Sequence, residues 1–424
     1  FYLTFVLLKI QIDMKPFPLT PSIGTYRDEN IIGREKDITN ILKQLRAQSV
    51  TVEEIRRMGK TLLLRKLMHQ CNNEQLPKEF SKDNFKAIYF SFQGKKNLGE
   101  VIDKIISEIK NFKKWYQIDF NKTYEYISKI ASAVKVNVTG AEFSVNLPEL
   151  KTSWKQIFFK TLEEVAENLE KNDQKLILIF DELPIMLWDW YKVGKHEEAI
   201  ELLDILRERR QELEQKGLRF VYCGSIGIKI ILQTLRKKHD YTGEPTNDMF
   251  EFSLKPFSLE ESKFLMECYV LSGYKILKKD KEILYKKTHD LCNGLPYYIA
   301  YMFIVIQSDF EGKLTNEIIE KTYELILNDP QHQKAFKQLR ERLEIYYAEN
   351  SKLMKSILSL LSKNNDEIEE SEILHQIQND HEEIKNNLYT LTEDHYLNRK
   401  IENGVRKYSF KYQIFKQWWK INIA

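Results

Sequence analysis

Gly59, Lys60 and Thr61 are the residues whose types and spacing most clearly indicate chemistry in this sequence. They follow the β-branched stretch 49–52 and precede an apolar helical periodicity that starts at Leu62, which is the strand–loop–helix order of a phosphate-binding loop. In such a loop, backbone amides surround the phosphate oxygens, a lysine neutralises charge on the β and γ phosphates, and a threonine hydroxyl holds Mg²⁺. Lys60 and Thr61 are candidates for these roles. The structural alternative is a chance Gly-Lys-Thr sequence before a helix.

A second candidate site is the acidic pair Asp181-Glu182, which ends the apolar run 176–180. A continuous run of this kind predicts a central strand of a parallel sheet, and open α/β sheets bind ligands at the carboxyl ends of their strands. We expect Asp181 to contribute to a Mg²⁺ shell and Glu182 to orient and deprotonate an attacking water. The alternative is a strand that merely ends in solvated acidic residues.

Glu54 occupies the position of the first glycine in the pattern Gly-x₄-Gly-Lys-Thr. A glycine at this position permits an unusual backbone conformation and close approach to phosphate, whereas a carboxylate adds a side chain and a negative charge. The sequence therefore leaves open whether nucleotide affinity or turnover is impaired. The charge could be tolerated if the side chain pointed outward.

Three further features are weaker indications. The Ser225 hydroxyl follows another predicted strand and could contact the γ-phosphate or the attacking water, although a plain turn fits the spacing equally well. Pro296 could simply mark the first turn of a helix. A cluster of arginines on the predicted helix 197–214 could supply an arginine finger, but such clusters usually belong to a solvated helix face. The cluster consists of Arg207, Arg209 and Arg210.

A parallel sheet would bring these residues together. Apolar and β-branched runs predict five strands, at 49–52, 87–92, 176–180, 218–223 and 250–254. Helical periodicity separates these runs, so the sequence predicts βαβ units and an α/β fold. Alternating valines between 130 and 148 suggest an inserted β-hairpin that turns at Gly140. From the capping pattern at Ser258 onward, helical signals dominate.

The length of 424 residues exceeds what a single hydrophobic core usually supports, so several domains are expected. We predict an N-terminal extension at 1–30, a P-loop ATPase core at 31–257, an all-helical lid at 258–349 and a winged-helix domain at 350–424. The apolar segment 1–12 is too short to span a bilayer, so no membrane association is expected. We predict that the native start is Met14, with a truncated signal segment as the alternative.

Charge and cysteine content narrow the class of protein. The net charge of +3 gives no overall electrostatic argument for binding nucleic acid or membranes. The cysteines are far apart and lack the short paired spacings of zinc or redox sites. We interpret them as reduced core thiols of a cytoplasmic protein; they are Cys71, Cys223, Cys268 and Cys292.

Several motifs occur together in one order along the chain. They are Gly33-Arg34-Glu35, Arg56-Arg57-Met58-Gly59-Lys60-Thr61, Phe180-Asp181-Glu182-Leu183-Pro184, Cys223-Gly224-Ser225 and Gly294-Leu295-Pro296. This combination resembles predicted archaeal-type ATPases of the STAND branch of the AAA+ proteins, and the chain's end from Tyr408 to Trp419 is similar to their winged-helix tail. The resemblance implies a RecA-like sheet with a helical lid, ATP–Mg²⁺ bound between them, and a switch between closed and open states.

The resemblance also implies roles for individual residues. Gly33 and Arg34 would lie near the adenine, Ser225 would act as a sensor, and Pro296 would belong to the lid motif that contacts the base. Nucleotide contacts are further expected along the loop and the first helical turn, from Arg56, Arg57, Met58, Gly59, Lys60, Thr61 and Leu62. The departure from the family pattern is Glu54, which casts doubt on turnover more than on the fold.

The predicted winged-helix domain has an unfavourable charge pattern for binding DNA. Its outline is three helices at 353–361, 368–377 and 384–391, followed by a two-stranded wing at 396–410 that turns at Asn403-Gly404. The third helix carries Lys385 as nearly its only cation and is flanked by acidic residues, whereas the wing is more basic. This pattern favours an intramolecular or protein-binding role, although phosphate contact by the wing stays open.

The sequence as a whole predicts an ATP-binding, Mg²⁺-dependent ATPase that acts as a nucleotide-driven switch. Self-association or a protein partner is expected for this class. One alternative is a nucleotide-binding scaffold whose hydrolysis is impaired by Glu54. The other is a DNA-binding regulator that acts through the winged helix.

Overall fold

The computed structural model describes residues 15–112 and 154–424, and these form two compact units. The core unit comprises residues 35–53 and the described residues of 60–254. The helical unit comprises the described residues up to 34, the loop 54–59 and residues 255–424. The hairpin predicted near 130–148 and the apolar segment 1–12 lie outside the described residues.

The core unit is built on a five-stranded parallel sheet. Its strands are β1 (Val50–Glu53), β2 (Phe85–Ser91), β3 (Lys175–Asp181), β4 (Leu218–Cys223) and β5 (Phe250–Ser253). Their order across the sheet is β2-β3-β4-β1-β5, and all neighbouring pairs are parallel. The five strands predicted from sequence are therefore confirmed, with small shifts at their ends. Because the strands run in one direction, the carboxyl ends of β1, β3 and β4 lie at the same edge of the sheet.

The third strand is the one that the apolar run predicted. Every residue from Leu176 to Asp181 is buried, and β2 and β4 pair with β3 on its two sides. Since successive side chains of a strand point to opposite faces, continuous burial means that both faces of β3 are covered. The acidic end of this strand is thus held on the most buried part of the sheet.

Seven helices of the core unit lie within the described residues. They are α1 (Glu35–Leu45), α2 (Lys60–Asn72), α3 (Leu98–Asn111), α4 (Trp154–Lys171), α5 (Leu183–Lys192), α6 (His196–Leu213) and α7 (Ile228–His239). The α2 helix begins directly after Gly59, so the predicted order of strand, loop and helix is present. Apolar residues at helical spacing in α1 are buried, as the periodicity predicted.

The helical unit continues with α8 (Leu259–Leu271), α9 (Lys281–Cys292), α10 (Pro296–Phe310), α11 (Asn316–Asn328) and α12 (Lys334–Tyr346). The predicted capping pattern starts α8: Ser258 and Glu261 exchange side-chain and backbone hydrogen bonds in a capping box. Gly294 precedes α10 with φ of 65°, and a Cβ at this position would collide with the Phe257 carbonyl oxygen. Glycine is therefore required here.

The C-terminal part of the helical unit mixes helices with a small antiparallel sheet. Its elements are α13 (Ser351–Lys363), β6 (Ile368–Glu369), α14 (Glu370–Gln376), α15 (His381–Glu393), β7 (Leu397–Glu402), β8 (Val405–Phe410) and α16 (Gln413–Asn422). The strand order is β6-β8-β7. The predicted hairpin is present, and Asn403 and Gly404 both have positive φ at its turn, as a two-residue turn of type I′ requires.

The four cysteines are buried, as the sequence predicted, and their thiols are free in this structure. Burial raises the pKa of the Cys71 thiol to about 12, so this side chain stays protonated and unreactive at neutral pH. No helix among the described residues has the length and apolar character needed to cross a membrane.

Candidate functional site

Asp181, at the carboxyl end of β3, accepts hydrogen bonds on both carboxylate oxygens. The Thr61 hydroxyl donates to Oδ2 at 2.9 Å, and the Tyr89 hydroxyl donates to the same oxygen. The backbone N–H of Glu182 donates to Oδ1 at 3.1 Å. Asp181 is 2% exposed, so these bonds replace the water that burial removes. The sequence predicted that Thr61 and Asp181 hold one metal ion, and the structure brings their side chains into contact.

The chemistry of this pair fits Mg²⁺. Thr61 and Asp181 both offer oxygen atoms, and Mg²⁺ at nucleotide sites takes one or two protein oxygens while phosphates and water supply the rest. Within residues 15–112 and 154–424, no cluster of three or more His, Cys, Asp or Glu side chains could hold a metal ion. The Thr61 hydroxyl and the Asp181 carboxylate are a candidate Mg²⁺ site because both offer oxygen ligands at one point.

Tyr89 is a member of this cluster that the sequence analysis missed. It lies on β2, two residues before Ser91, which is opposite Asp181 in the register of β2 and β3. Burial and the Asp181 carboxylate raise the pKa of Tyr89 well above its ordinary value. The hydroxyl therefore stays protonated and remains a donor to Asp181. A strand sequence alone does not reveal its register with a neighbour, so no sequence signal pointed to this residue.

Glu182 is held by Ser225, which follows β4. Its Oε2 atom accepts hydrogen bonds from the backbone N–H and from the hydroxyl of Ser225, each at 2.8 Å. The Glu182 backbone has φ of 60° and ψ of 22°, a left-handed conformation that is uncommon for non-glycine residues and often found at functional sites. Because β3 and β4 are neighbours, the residues that follow them meet. The predicted sensor thus contacts the predicted catalytic carboxylate.

Lys60 is buried at the first position of α2. Burial raises the pKa of the Cys223 thiol well above its ordinary value, Asp181 acts in the same direction, and the Lys60 ammonium opposes them. Lys60, Asp181 and Cys223 are therefore within electrostatic reach of one another. The cluster combines a lysine with two carboxylates, which is the set of charges that a Mg²⁺–polyphosphate site uses. Leu62, two residues after Lys60 on α2, is half-buried.

Within the helical unit, Arg34 supports the loop 54–59. Its buried guanidinium donates to the backbone carbonyls of Met58 and Lys255 and lies over the Phe257 ring, 4.6 Å from its centroid. The residue has φ of 76°, which is costly for an arginine and is retained because these contacts fix it. Arg34 therefore links the loop to the chain just before α8.

Gly59 and Pro296 lie close to Arg34. A Cβ placed on Gly59 would be 3.7 Å from the Arg34 guanidinium and 4.0 Å from the Pro296 ring, and Gly59 has φ of 87°. Gly33 has φ of 71°, and a Cβ there would be 2.9 Å from the Phe257 ring. The structure thus brings together residues from three separate motifs for which the sequence predicted nucleotide contact.

The two arginines of the loop have different surroundings. Arg57 lies over the Tyr297 ring, 4.5 Å from its centroid, and donates to the Gln338 side chain at 3.2 Å. Its φ is 76°. The Arg56 side chain is exposed to solvent. Arg57 is therefore engaged by α10 and α12, whereas Arg56 presents its charge at the surface of the loop.

The Glu54 side chain does not point outward. An outward orientation, which would have let solvent screen its charge, is therefore not how this loop accommodates the carboxylate. The side chain is 1% exposed and its Oε2 atom accepts a hydrogen bond from Lys411 at 2.7 Å. Its Oε1 atom accepts from the backbone N–H of Ile55 at 3.0 Å. A lysine distant in sequence therefore neutralises the charge that replaces the expected glycine.

Two of the three arginines in the cluster on α6 are buried rather than on a solvated face, and Arg207 is half-buried. Arg209 is buried and forms ion pairs with glutamates at 163, 208 and 212. Arg210 is buried, donates to the Tyr222 hydroxyl and pairs with Asp248. Both side chains are committed to contacts within the core unit, so neither of them fits the role of an arginine finger.

Comparison with solved structures finds the same fold in a Walker-type ATPase of Pyrococcus abyssi. The TM-score is 0.56 at 18% sequence identity, covering 96% of this chain and 98% of that one. The ORC2 protein of Aeropyrum pernix gives a TM-score of 0.48 at 13% identity, with 96% and 95% of the chains covered. RuvB of Thermotoga maritima gives 0.35 at 10% identity, with 89% and 93% covered. No protein-family model and no curated sequence matches this chain. The first of these likenesses establishes a shared fold over nearly the whole length.

Proposed function

We propose that this protein is a Mg²⁺-dependent ATPase of the AAA+/STAND type that acts as a nucleotide-controlled switch. The observation that carries the proposal is the contact between Thr61 and Asp181, which joins the phosphate-loop motif to the acidic strand end. Glu182, held by Ser225, is adjacent to this contact. The fold shared with a Walker-type ATPase agrees with this assignment.

The residues around α2 would bind the phosphates. The backbone N–H groups at the start of α2 and the Lys60 ammonium attract phosphate oxygens. Thr61 and Asp181 would hold Mg²⁺, which neutralises charge on the β and γ phosphates when bound. Tyr89 keeps the Asp181 carboxylate oriented by donating to it. Lys60 and Thr61 thus assist transfer of the γ-phosphoryl group to water by position and charge rather than by covalent chemistry.

Glu182 would act as the general base for the attacking water. In the present arrangement its Oε2 atom is occupied by both donors of Ser225. Both bonds occupy the carboxylate oxygen that would take the proton of the water. We propose that Ser225 both orients Glu182 and keeps it inactive until nucleotide binding shifts one of the two contacts.

We expect Ser225→Ala to change the rate of hydrolysis less than any substitution that removes the Glu182 charge. The backbone N–H of Ser225 would still donate to Glu182, so the carboxylate keeps one of its two bonds. Steady-state phosphate release at saturating ATP would measure the change in kcat. Ser225→Thr, which keeps the hydroxyl, is the matched control. A loss of activity as large in Ser225→Ala as in Glu182→Gln would show that Ser225 does more than position Glu182.

The switch would act through the helical unit. Arg34 bonds to both the loop carbonyl of Met58 and the carbonyl of Lys255, so a change in the loop reaches the chain that leads into α8. We propose that residues 258–349 are the lid and residues 350–424 a winged-helix domain. Self-association or a protein partner would read the nucleotide state, and the free, buried cysteines fit a reducing cytoplasm.

A DNA-binding role is the less favoured proposal. Within 381–393, the helix that would read DNA, Lys385 is the one Lys or Arg. Three cations of the β7–β8 hairpin form ion pairs with glutamates, which are Lys400 with Glu367, Arg406 with Glu370, and Lys407 with Glu402. Cations already paired have less to gain from phosphate contact.

The test of the proposed function compares the full chain with its Lys60→Ala variant. We expect the variant to bind Mg–ATP at least about thirtyfold more weakly and to lose phosphate release, because a buried charge contact to phosphate is removed. Isothermal calorimetry and a phosphate-release assay measure the two effects, and EDTA should abolish release in the wild type. Lys192→Ala, an exposed lysine of the core unit, is the control.

The possible results separate the candidate functions. Binding and turnover that are both lost in Lys60→Ala support the ATPase. Binding by the wild type without phosphate release would instead favour the nucleotide-binding scaffold, for which Glu54 in the loop is the motivating residue. If the wild type bound no nucleotide, both functions would be wrong.

A further inference from the structure

Glu54 is the centre of a small charged cluster in the helical unit. Besides the bond from Lys411 to its Oε2 atom, the Nδ1 atom of His395 lies 3.7 Å from its Oε1 atom. The same His395 nitrogen is 3.0 Å from the Lys411 ammonium. Burial and the Glu54 carboxylate raise the pKa of the nearby Tyr412 hydroxyl well above its ordinary value. The C-terminal segment thus surrounds a carboxylate of the phosphate loop.

Lys411 is held in place by its own backbone. Its N–H donates to the Tyr396 carbonyl at 2.9 Å, so it is anchored to the start of the β7–β8 hairpin. Shortly after it, the backbone N–H of Ile414 donates to the Asn293 side chain at 2.8 Å. The Lys411 side chain is 20% exposed, much less than that of a surface lysine. The ammonium is therefore directed at Glu54 by a fixed segment of chain.

A buried carboxylate in this loop is costly unless a cation compensates for it. Phosphate groups that approach the loop 54–59 would meet a negative charge if Glu54 were not neutralised. Arg56 and Arg57 belong to the same loop, but Arg57 is engaged by Tyr297 and Gln338. The Lys411 ammonium, in contrast, donates directly to the Glu54 carboxylate.

We propose that Lys411 is a positioning residue of the nucleotide site, which neutralises Glu54 so that the loop 54–59 can accept phosphate. Nucleotide binding then depends on the C-terminal segment being docked on this loop. Undocking that segment exposes the Glu54 charge and expels the nucleotide. This inference rests on the proposed function, because it assigns a control of the same phosphate loop.

The experiment is a double-mutant cycle with Mg–ATP as the probe, measured by calorimetry on the full chain. We expect Lys411→Met to raise the Kd for Mg–ATP by about tenfold or more, because an uncompensated carboxylate repels phosphate. Glu54→Gln alone should bind at least as tightly as the wild type. The double variant Glu54→Gln/Lys411→Met should return the Kd to near the wild-type value, since neither charge remains.

Two further variants control the cycle. Lys411→Arg keeps the cation and should bind Mg–ATP nearly as the wild type does. Lys407→Met removes a neighbouring lysine whose ion pair with Glu402 is at the surface, and should leave the Kd unchanged. Thermal unfolding of every variant shows whether it is folded, and the double variant supplies the comparison if Lys411→Met proves unstable.

Each possible outcome of these Kd measurements either supports or overturns the proposed role of Lys411. An unchanged or lower Kd in Lys411→Met would overturn it, since Glu54 would then not need neutralising. A weakened Kd that the double variant fails to restore would also overturn it and would indicate that Lys411 contacts the nucleotide directly. Absence of ATP binding in the wild type would reject the proposed function itself. That result differs from ATP binding whose Kd is the same with and without Lys411.

Discussion

Glu182→Gln should lower the rate of ATP hydrolysis by about a hundredfold or more, while the Kd for Mg–ATP stays within about threefold of the wild type. A glutamine oxygen can accept the same two hydrogen bonds that Ser225 donates to Glu182, so the local geometry is kept. The charge that would take the proton of the attacking water is lost. Single-turnover phosphate release measures the rate, and calorimetry measures the Kd.

Glu201→Gln is the matched control, because Glu201 is an exposed glutamate on α6 of the same unit. Its rate should equal that of the wild type. If Glu182→Gln hydrolysed ATP at the wild-type rate, Glu182 would not be the base, and its left-handed backbone would need another explanation. Loss of both binding and turnover would instead indicate that the carboxylate holds the fold of the site.

The strands and the helix that position Thr61 and Asp181 could be predicted from sequence because their signals are local. The apolar run of β3 predicts a buried strand, and burial on both faces follows from its continuity. The parallel direction of the strands then requires that the ends of β1, β3 and β4 share one edge. These two facts place the motifs that contain Thr61 and Asp181 at one edge of the sheet, and the strand order, with β4 between β1 and β3, sets how near they lie.

Contacts between distant segments could not be predicted in the same way. Tyr89 reaches Asp181 through the register of β2 with β3, and neither strand's sequence encodes that register. Lys411 bonds to Glu54 across 357 residues, and its position depends on how the chain after β8 is anchored. The sequence showed that Glu54 was unusual; its neutralising partner required the tertiary structure.

Arg342→Met should lower the free energy of unfolding of the helical unit by about 3–5 kcal/mol, the loss typical of breaking a buried ion pair. Arg342 on α12 donates to the Asp394 carboxylate at 2.7 Å, and the two side chains are 7% and 6% exposed. Methionine fills a similar volume but leaves the Asp394 carboxylate buried without this cation. Urea unfolding, followed by the fluorescence of the buried Trp418 and Trp419, measures the change.

Arg340→Met tests whether burial is the cause, because Arg340 lies on the same helix and pairs with Glu344 at the surface, 3.4 Å away. Arg340→Met should lower the free energy of unfolding by less than about 1 kcal/mol. Adding Asp394→Asn to Arg342→Met should recover much of the lost stability, since the uncompensated charge is removed. Asp394 directly precedes His395, whose ring contacts Lys411, so Arg342→Met should also weaken Mg–ATP binding if Lys411 acts as proposed. Equal destabilisation by the two arginine substitutions would contradict the argument from burial.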